Sequence, residues 1–337
     1  MTTALAPRLP TIHPTPSGMF TRPINIGRVI ARIRTHTFCD EAEEFVTAYA
    51  ELGERGSFLW QWVIEGLRLT TLPCVDPSLA AHVETTKLLG VMFDVMLDDV
   101  ADARRDDAFL AQLLHIPFTP SLVDREAIAH DDVAYFDFTA RLWETIQSRA
   151  SQLPRYAELA DLLEFDYRQL MNCMRYASIL GHDPRRMNVR EHDLYAPHNM
   201  HMMISGTLDL MASPDFDMSE IGRLRSVLWE GQMMGRIGNM VTTWPREILA
   251  GDLTSGVFAH ALEEGLLLPD ELHGFDPQVL GDQIRRAGIE GRLLSEWRGH
   301  RAKLVRVGDD LHSVDAGRYA DGLDKLLHIH LASRGLK

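Results

Sequence analysis

The sequence predicts an all-α protein that folds as a single domain. Apolar residues recur at helical spacing along most of the 337-residue chain, whereas alternating strand-like runs with hairpin turns are scarce. No linker separates two regions of different composition. The apolar fraction of 45% and the charged fraction of 24% are ordinary for a globular protein, and a chain of this length can bury a substantial core.

Helical periodicity, together with the prolines that interrupt it, predicts nine helices. They are expected at 40–52, 57–70, 77–101, 132–152, 155–180, 199–212, 217–250, 254–266 and 317–333. Pro245 falls inside the pattern 217–250. We expect it to kink or locally break that helix, because proline has no N–H group to donate.

Residues 1–30 are expected to form a flexible tail ahead of a folded domain at 31–337. The tail holds five prolines and lacks the continuous apolar segment of a secretory signal. No stretch of the chain approaches the roughly 18 apolar residues of a membrane span. The three scattered cysteines fit a reducing cytoplasm. The net charge of −14 argues against a nucleic-acid partner. We therefore expect a soluble, cytoplasmic protein.

An aspartate-rich segment, Asp98, Asp99 and Asp102, closes the apolar run from Leu88 to Leu97. Because residues four apart lie on one face of a helix, Asp98 and Asp102 should project together. Carboxylates crowded beside a core raise one another's pKa unless a cation neutralises them. The segment therefore indicates a metal site rather than a solvated helix face.

Asn239, Thr243 and Glu247 form a second pattern at four-residue spacing. Asparagine and threonine are poor helix formers, and apolar neighbours such as Met233 and Ile237 indicate a cavity wall rather than a surface. Oxygen ligands of this kind suit Mg²⁺, which usually keeps coordination positions for water and substrate phosphates. The two patterns together predict a Mg²⁺ site that holds a diphosphate, with a prenyl diphosphate as the small-molecule substrate.

The two motifs resemble those of bacterial class I terpene synthases, which carry an aspartate-rich motif and an asparagine-serine-glutamate triad on opposing helices. Thr243 stands in the serine position. The separation of 141 residues between Asp98 and Asn239 is usual for that family, and the likeness runs from about residue 40 onward. It implies an α-helical bundle with a central apolar cavity and three Mg²⁺ ions bound with the diphosphate. The resemblance is compatible with a homodimer and does not fix the oligomeric state.

The resemblance also implies which residues bind the diphosphate. Arg246 precedes the last residue of the triad, and Arg318-Tyr319 resembles a C-terminal pair that closes over the diphosphate. One feature departs from the family. Its diphosphate-sensing arginine is expected near residue 193, where no arginine is in register. The residues that could replace it are Arg190, His198 and His201.

Aromatic and methionine side chains beside the motifs are expected to line the cavity, namely Phe93, Met240 and Trp244. Desolvated aromatic faces stabilise a cation by about 0.5–2 kcal/mol and offer no nucleophile, and methionine supplies adaptable wall area. The implied reaction ionises a prenyl diphosphate and cyclises the carbocation to a terpene hydrocarbon or alcohol, with release of diphosphate. The C-terminal motif leans towards diterpene synthases and thus a C20 substrate, linear or bicyclic.

Three other functions stay open. A chain-elongating prenyltransferase would share the fold, but it would carry a second aspartate-rich motif where this chain has the Asn/Thr/Glu pattern. His-Asp pairs at 130–131, 182–183 and 192–193 would suit a metal phosphohydrolase of the HD type, provided that they converge on transition metals. A non-catalytic helical interaction module would tolerate Asp98→Ala, or gain stability from it.

Overall fold

The computed structural model describes residues 25–272 and 276–336, and all regular secondary structure in this part of the chain is helical. It contains fourteen α-helices joined by short connections and 3-10 turns, and no β-strand occurs among the described residues. The predicted all-α fold class is therefore confirmed. None of these helices combines the length and the apolar composition that a membrane crossing requires.

The helices are numbered in chain order. Their bounds are α1 Ile26–Ile33, α2 Asp40–Tyr49, α3 Ser57–Thr70, α4 Ala80–Asp98, α5 Asp107–His115, α6 Val133–Ala150, α7 Tyr156–His182, α8 Val189–Tyr195, α9 Met202–Met211, α10 Ile221–Ala250, α11 Gly256–Glu263, α12 Pro277–Ala287, α13 Ile289–Gly308 and α14 Ala316–Ala332. A π-helical turn, Asp99–Arg104, continues α4, and a 3-10 turn, Ala196–Met200, precedes α9.

The nine helices expected from periodicity are all present, with ends that shift by a few residues. Five further helices, α1, α5, α8, α12 and α13, were not predicted. In α13 the buried residues Leu293, Trp297 and Leu304 do recur at helical spacing, but charged residues and glycines between them obscure the pattern. Helix α1 lies partly within the segment expected as a tail, of which residues 1–24 lie outside the described residues.

Helix α10 stays helical to Ala250 although it contains Pro245. Of the two expected effects, a kink or a local break, the break is therefore absent. Proline removes one backbone donor, but the flanking side chains of Trp244 and Ile248 are buried in the core. Tertiary packing of this face holds the helix together across the proline, and it keeps the three residues of the Asn/Thr/Glu pattern on one continuous helix.

Helix α10 lies at the centre of the bundle and packs against α9, α13 and α14, while α4 packs against α3 and α6. Helix α3 joins the two groups, because it contacts both α4 and α14. The approach of α14 to α3 requires glycine at Gly322, where a Cβ atom would lie 1.9 Å from the carbonyl oxygen of Leu69. A cavity remains between the two groups of helices.

A buried ion pair ties α4 to α9. Lys87 Nζ lies 2.7 Å from Asp209 Oδ1, and both side chains are inaccessible to solvent. Asp209 also accepts a hydrogen bond from the Leu72 N–H at 2.9 Å, just after α3. Because a buried charge is costly without its partner, this pair holds three elements around the cavity in one arrangement.

Candidate active site

The cavity between α3, α4, α7, α10 and α14 has a volume of about 840 Å³, within the range of about 300–1,000 Å³ that is typical of small-molecule sites. One part of its wall is polar and strongly acidic, and another is apolar. The polar part includes Asp94, Asp98, Asp99, Asp102, Asn239, Thr243, Glu247 and Asp252. The apolar part includes Leu59, Trp62, Val63, Leu67, Val91, Val95, Met200, Met202 and Leu326.

The aspartate-rich segment spans the end of α4 and the π-helical turn. Asp98 Oδ1 accepts a hydrogen bond from Asn199 Nδ2 at 2.7 Å, which links α4 to the turn before α9. Asp102 Oδ1 is buried and has no hydrogen-bond partner. Both side chains line the cavity, as their helical spacing predicted.

Asp99 is held differently from its neighbours. Arg55 donates to Asp99 Oδ1 from both Nε, at 3.0 Å, and Nη2, at 2.6 Å. The hydroxyl of Tyr49 donates to Asp99 Oδ2 at 3.2 Å. Both carboxylate oxygens are thus engaged by protein groups from α2 and the loop that follows it. The geometry favours a positioning role for Asp99 over that of a metal ligand.

Arg105 fastens the π-helical turn to the end of α10. Its backbone has a positive φ of 54°, which is uncommon for a residue with a side chain. The guanidinium donates to the carbonyl of Gly251 at 2.9 Å through Nη2 and to that of Asp102 at 3.3 Å through Nε. The two halves of the predicted site are therefore joined by one side chain.

The second half lies on α10, where Asn239, Thr243 and Glu247 all line the cavity. Thr243 Oγ1 donates to the Asn239 carbonyl at 3.0 Å and lies 3.4 Å from Asn239 Oδ1. Glu247 Oε2 is buried without a hydrogen-bond partner. After the helix, Asp252 joins the same wall. Asp252 was not among the site residues predicted from the sequence.

Burial and mutual repulsion raise the pKa values of three carboxyl groups in the site, Asp98, Asp102 and Glu247. Burial raises the pKa of Asp98, and burial together with Asp98, Asp252 and Glu247 raises the pKa of Asp102 well above its usual value. Burial, with Asp252 adding to it, raises the pKa of Glu247 to about 7. Glu247 and Asp252 both contribute to the raised pKa of Asp102, so carboxylates from the two sides of the site repel each other.

The donor set fits Mg²⁺. It consists of carboxylate, amide and hydroxyl oxygens, which this cation prefers, and two of the carboxylate oxygens, on Asp102 and Glu247, lack any other partner. Within the described ranges, no three His, Cys, Asp or Glu side chains converge on a common metal position.

The expected diphosphate-binding residues divide into two groups. Arg246 lines the cavity beside Glu247. Arg318 and Tyr319 do not: Arg318 is exposed at the start of α14, and Tyr319 is buried against Gly231 of α10. The structure thus does not bring the Arg-Tyr pair to the acidic wall.

Three other arginines do reach the cavity, namely Arg55, Arg105 and Arg236. Arg236 lies one turn before Asn239 on α10, so helical spacing could have identified it. Its Nη2 lies 3.1 Å from His192 Nε2, and its Nε is buried without a partner. Burial lowers the pKa of His192 well below its usual value, so the pair brings one positive charge to the cavity.

None of the three predicted wall residues lines the cavity. Phe93 packs against Trp143 and Tyr167 in the core. Trp244 points away and donates to Glu290 at 2.7 Å. Met240 lies behind the wall, close to Gly256 of α11. Two aromatic side chains that were not predicted do line the cavity, Trp62 of α3 and Tyr176 of α7.

Only one of the three residues that could replace the missing diphosphate-sensing arginine lies at the cavity. Of the three that were considered in place of the sensing arginine, Arg190 is exposed, and His198 lies 3.5 Å from the Gln232 amide. Only His201 lines the cavity. It is buried, has a positive φ of 59°, and immediately precedes α9. Burial lowers its pKa to about 3, so the imidazole is neutral.

The three His-Asp pairs do not form one site. His130 and Asp131 are exposed, and His182 forms a surface ion pair with Asp107 at 2.8 Å. Of the three histidines, only His192 reaches the cavity. These positions do not support the clustered transition-metal site of a phosphohydrolase.

No protein-family model matches the chain, and comparison with curated proteins gives no significant match.

Proposed function

We propose that this chain is a Mg²⁺-dependent class I terpene cyclase that ionises a prenyl diphosphate and cyclises the resulting carbocation. The observation that carries the proposal is the meeting of two distant oxygen-rich motifs on one cavity. Asp102 and Glu247 each present an unpartnered buried oxygen there, and a large apolar wall adjoins them. A divalent cation would relieve the repulsion between the carboxylates, and the apolar wall fits a prenyl chain.

Asp98 and Asp102 on one side, with Asn239, Thr243 and Glu247 on the other, would hold the ions. When bound, Mg²⁺ supplies positive charge that neutralises the diphosphate as it leaves. The allylic C–O bond breaks heterolytically, and its electron pair departs with the diphosphate oxygen. Arg236 and Arg246 add fixed positive charge on the same helix, where the leaving group would lie.

The apolar wall would fold the chain and exclude water from the cation. Trp62 contributes an indole ring to the cavity wall, where a hydrogen bond from Nε1 to Ser333 Oγ at 3.0 Å holds it. Desolvated aromatic faces stabilise a cation by about 0.5–2 kcal/mol. A cavity of about 840 Å³ accommodates a C20 substrate, and we propose a linear or bicyclic C20 diphosphate as the substrate class.

The test is incubation of purified protein with Mg²⁺ and geranyl, farnesyl, geranylgeranyl or bicyclic C20 diphosphate. Organic extracts are read by gas chromatography–mass spectrometry. We expect a cyclic hydrocarbon or alcohol from one substrate, and its loss in Asn239→Ala. Asn188→Ala is the matched control, because Asn188 caps α8 at an exposed position away from the cavity.

Two outcomes would redirect the proposal. Longer prenyl diphosphates among the products would indicate an elongating prenyltransferase, which the Asn/Thr/Glu pattern on α10 disfavours. Silence on all four substrates, from a folded protein, would contradict a cyclase with any of these chains. Phosphate release that depends on His192 but not on Asn239 would then support a phosphohydrolase.

A further inference from the structure

Three buried polar side chains meet on the α4 side of the cavity with incomplete hydrogen bonding. They are Asp94, Tyr167 and His201, called here the inner polar cluster. Asp94 is 2% exposed, and Asp94 Oδ1, the Tyr167 hydroxyl and His201 Nε2 all lack a hydrogen-bond partner. Asp94 and His201 line the cavity, and Tyr167 lies just behind it.

The cluster is compact. A Cβ atom built at Gly90 of α4 would lie 2.7 Å from His201 Nε2 and 3.0 Å from the Tyr167 hydroxyl, so both atoms lie over the same point of the helix. Asp94 follows Gly90 by one turn on that face. The Tyr167 and His201 rings meet edge to face, with centroids 5.9 Å apart.

His201 is held so that Nε2 remains available. Its Nδ1 lies 3.2 Å from Ser205 Oγ. In the tautomer whose Nδ1–H donates to that oxygen, Nε2 is an acceptor. The residue lies in the left-handed region at the junction with α9, and non-glycine residues in that region often occur at functional sites.

An unpartnered buried polar group destabilises the folded state, and this cluster contains three. Two acceptors and one hydroxyl around a common point suit a single small polar ligand, because a buried water makes about two to four hydrogen bonds. A hydrocarbon chain alone would leave all three unsatisfied. The cluster therefore has the chemistry of a water site in an otherwise apolar wall.

We propose that the inner polar cluster binds one water molecule, which attacks the carbocation so that the product is a terpene alcohol. This inference rests on the proposed cyclase function. The water oxygen forms a C–O bond to the cationic carbon, and the resulting oxonium ion loses a proton to His201 Nε2. An oxonium ion is a much stronger acid than an imidazolium, so even a weakly basic histidine accepts this proton. The imidazolium then releases it to solvent with the departing diphosphate.

The experiment uses the full chain with the substrate that turns over, in water enriched in ¹⁸O. We expect the wild type to give mainly an alcohol that carries the label. Tyr167→Phe removes only the hydroxyl, and His201→Asn keeps a residue that tolerates positive φ. Each should lower the ratio of alcohol to hydrocarbon at least about tenfold. Tyr156→Phe, near the start of α7 and outside the cavity wall, should leave the ratio as it is.

The outcomes separate this inference from the proposed function. A hydrocarbon as the main wild-type product, an unlabelled alcohol, or an unchanged ratio in both variants would overturn the inference and leave the cyclase intact. Complete inactivity of folded variants would also overturn it, because the cluster would then be needed before the cation forms. If a variant fails to fold by circular dichroism, the isosteric Asp94→Asn replaces it. No product from any substrate would overturn the cyclase proposal, and this inference with it.

Discussion

Arg55 donates two hydrogen bonds to one oxygen of Asp99, at 3.0 Å and 2.6 Å, and its Nη2 lies 3.8 Å from Asp98 Oδ2. Two adjacent aspartates of one motif are thus treated differently. Both carboxylate oxygens of Asp99 accept hydrogen bonds from Arg55 and Tyr49. Asp98 lines the cavity and accepts one hydrogen bond, from the Asn199 amide. The contrast separates a residue that fixes the π-helical turn, Asp99, from one that lines the cavity with one amide donor, Asp98, within a single sequence motif.

Asp99→Asn should lower stability, and Asp98→Asn should not. Loss of the Asp99 charge leaves Arg55 without its main partner, and hydrogen bonds to charged groups contribute about 1.5–3 kcal/mol. Asp98→Asn removes a repelled carboxylate, so its free energy of unfolding should be unchanged or higher, while formation of the proposed cyclic product should fall. Urea unfolding and product assays on both variants check this. Equal destabilisation by the two changes would contradict the division of roles.

The acidic wall should make stability depend on pH in the absence of Mg²⁺. The folded-state pKa of Glu247 is raised from 4.5 to about 7, so folding favours the protonated form. The free energy of unfolding should therefore fall as pH rises from about 4.5 to about 7, by up to about 1.4 kcal/mol per pH unit for one group.

Mg²⁺ should flatten this dependence, because a bound cation favours the ionised carboxylates. Thermal unfolding between pH 5 and pH 8, with and without Mg²⁺, measures both effects. Glu247→Gln should reduce the slope, whereas Glu263→Gln, at an exposed position of α11, should not. A melting temperature that rises with pH over this interval in metal-free buffer would contradict the prediction.

Arg236 should be needed to bind the diphosphate. Arg236→Gln should lower kcat/KM by about 10²–10³, the usual cost of a preorganised charged donor, and it should weaken binding of inorganic diphosphate with Mg²⁺ in calorimetry. Arg223→Gln on the same helix is the control, because Arg223 forms an exposed pair with Asp310. Diphosphate affinity that does not differ between the two variants would exclude a role for Arg236.

Sequence periodicity predicted which residues share a helix face, but not which faces meet. Asn239, Thr243 and Glu247 were placed together correctly because their spacing is fixed by the helix. The same helical spacing could have predicted that Arg236, three residues before Asn239, shares their face of α10. Arg55 was not, since it lies in a loop after α2 and comes to Asp99 only through the packing of α2 and α3 against α4.

The errors have the same cause. Trp244 was expected in the cavity because it lies beside Thr243, yet adjacent residues on a helix point in directions about 100° apart, and Trp244 faces Glu290 instead. Arg318 was expected at the diphosphate because of a resemblance in sequence, but the side chain is exposed at the start of α14, outside the cavity. A sequence motif does not fix the direction in which a helix points its side chains in the folded bundle. His201 was not placed just before α9 either, because its positive φ of 59° cannot be predicted from residue preferences alone.

The buried pair Lys87–Asp209 should be essential to the fold around the cavity. Lys87→Met leaves a buried carboxylate without its partner and should cost about 3–5 kcal/mol. Lys87→Met/Asp209→Asn should recover part of this, because no charge then stays buried. Chemical denaturation of the single and double variants measures the difference. For comparison, Glu164→Ala, which breaks the exposed pair with Arg168, should cost at most about 1 kcal/mol.

Thr243 should act through its hydroxyl and not through its shape. Thr243→Ser keeps the oxygen that donates to the Asn239 carbonyl at 3.0 Å, so it should keep most of the activity. Thr243→Val is nearly isosteric and removes that oxygen, and it should lower kcat/KM by about 10–100-fold, as is usual for groups that orient or ligate a metal.

Thr242→Val is the matched control for this series. The hydroxyl of Thr242 also donates back along α10, to the Gly238 carbonyl at 2.8 Å, but its side chain does not line the cavity. Its loss should change the melting temperature about as much as Thr243→Val does, with little effect on turnover. The Mg²⁺ concentration for half-maximal activity should rise in Thr243→Val alone. A similar rise in Thr242→Val would mean that the valines act through the helix, and Thr243 would then have no direct role in holding the metal.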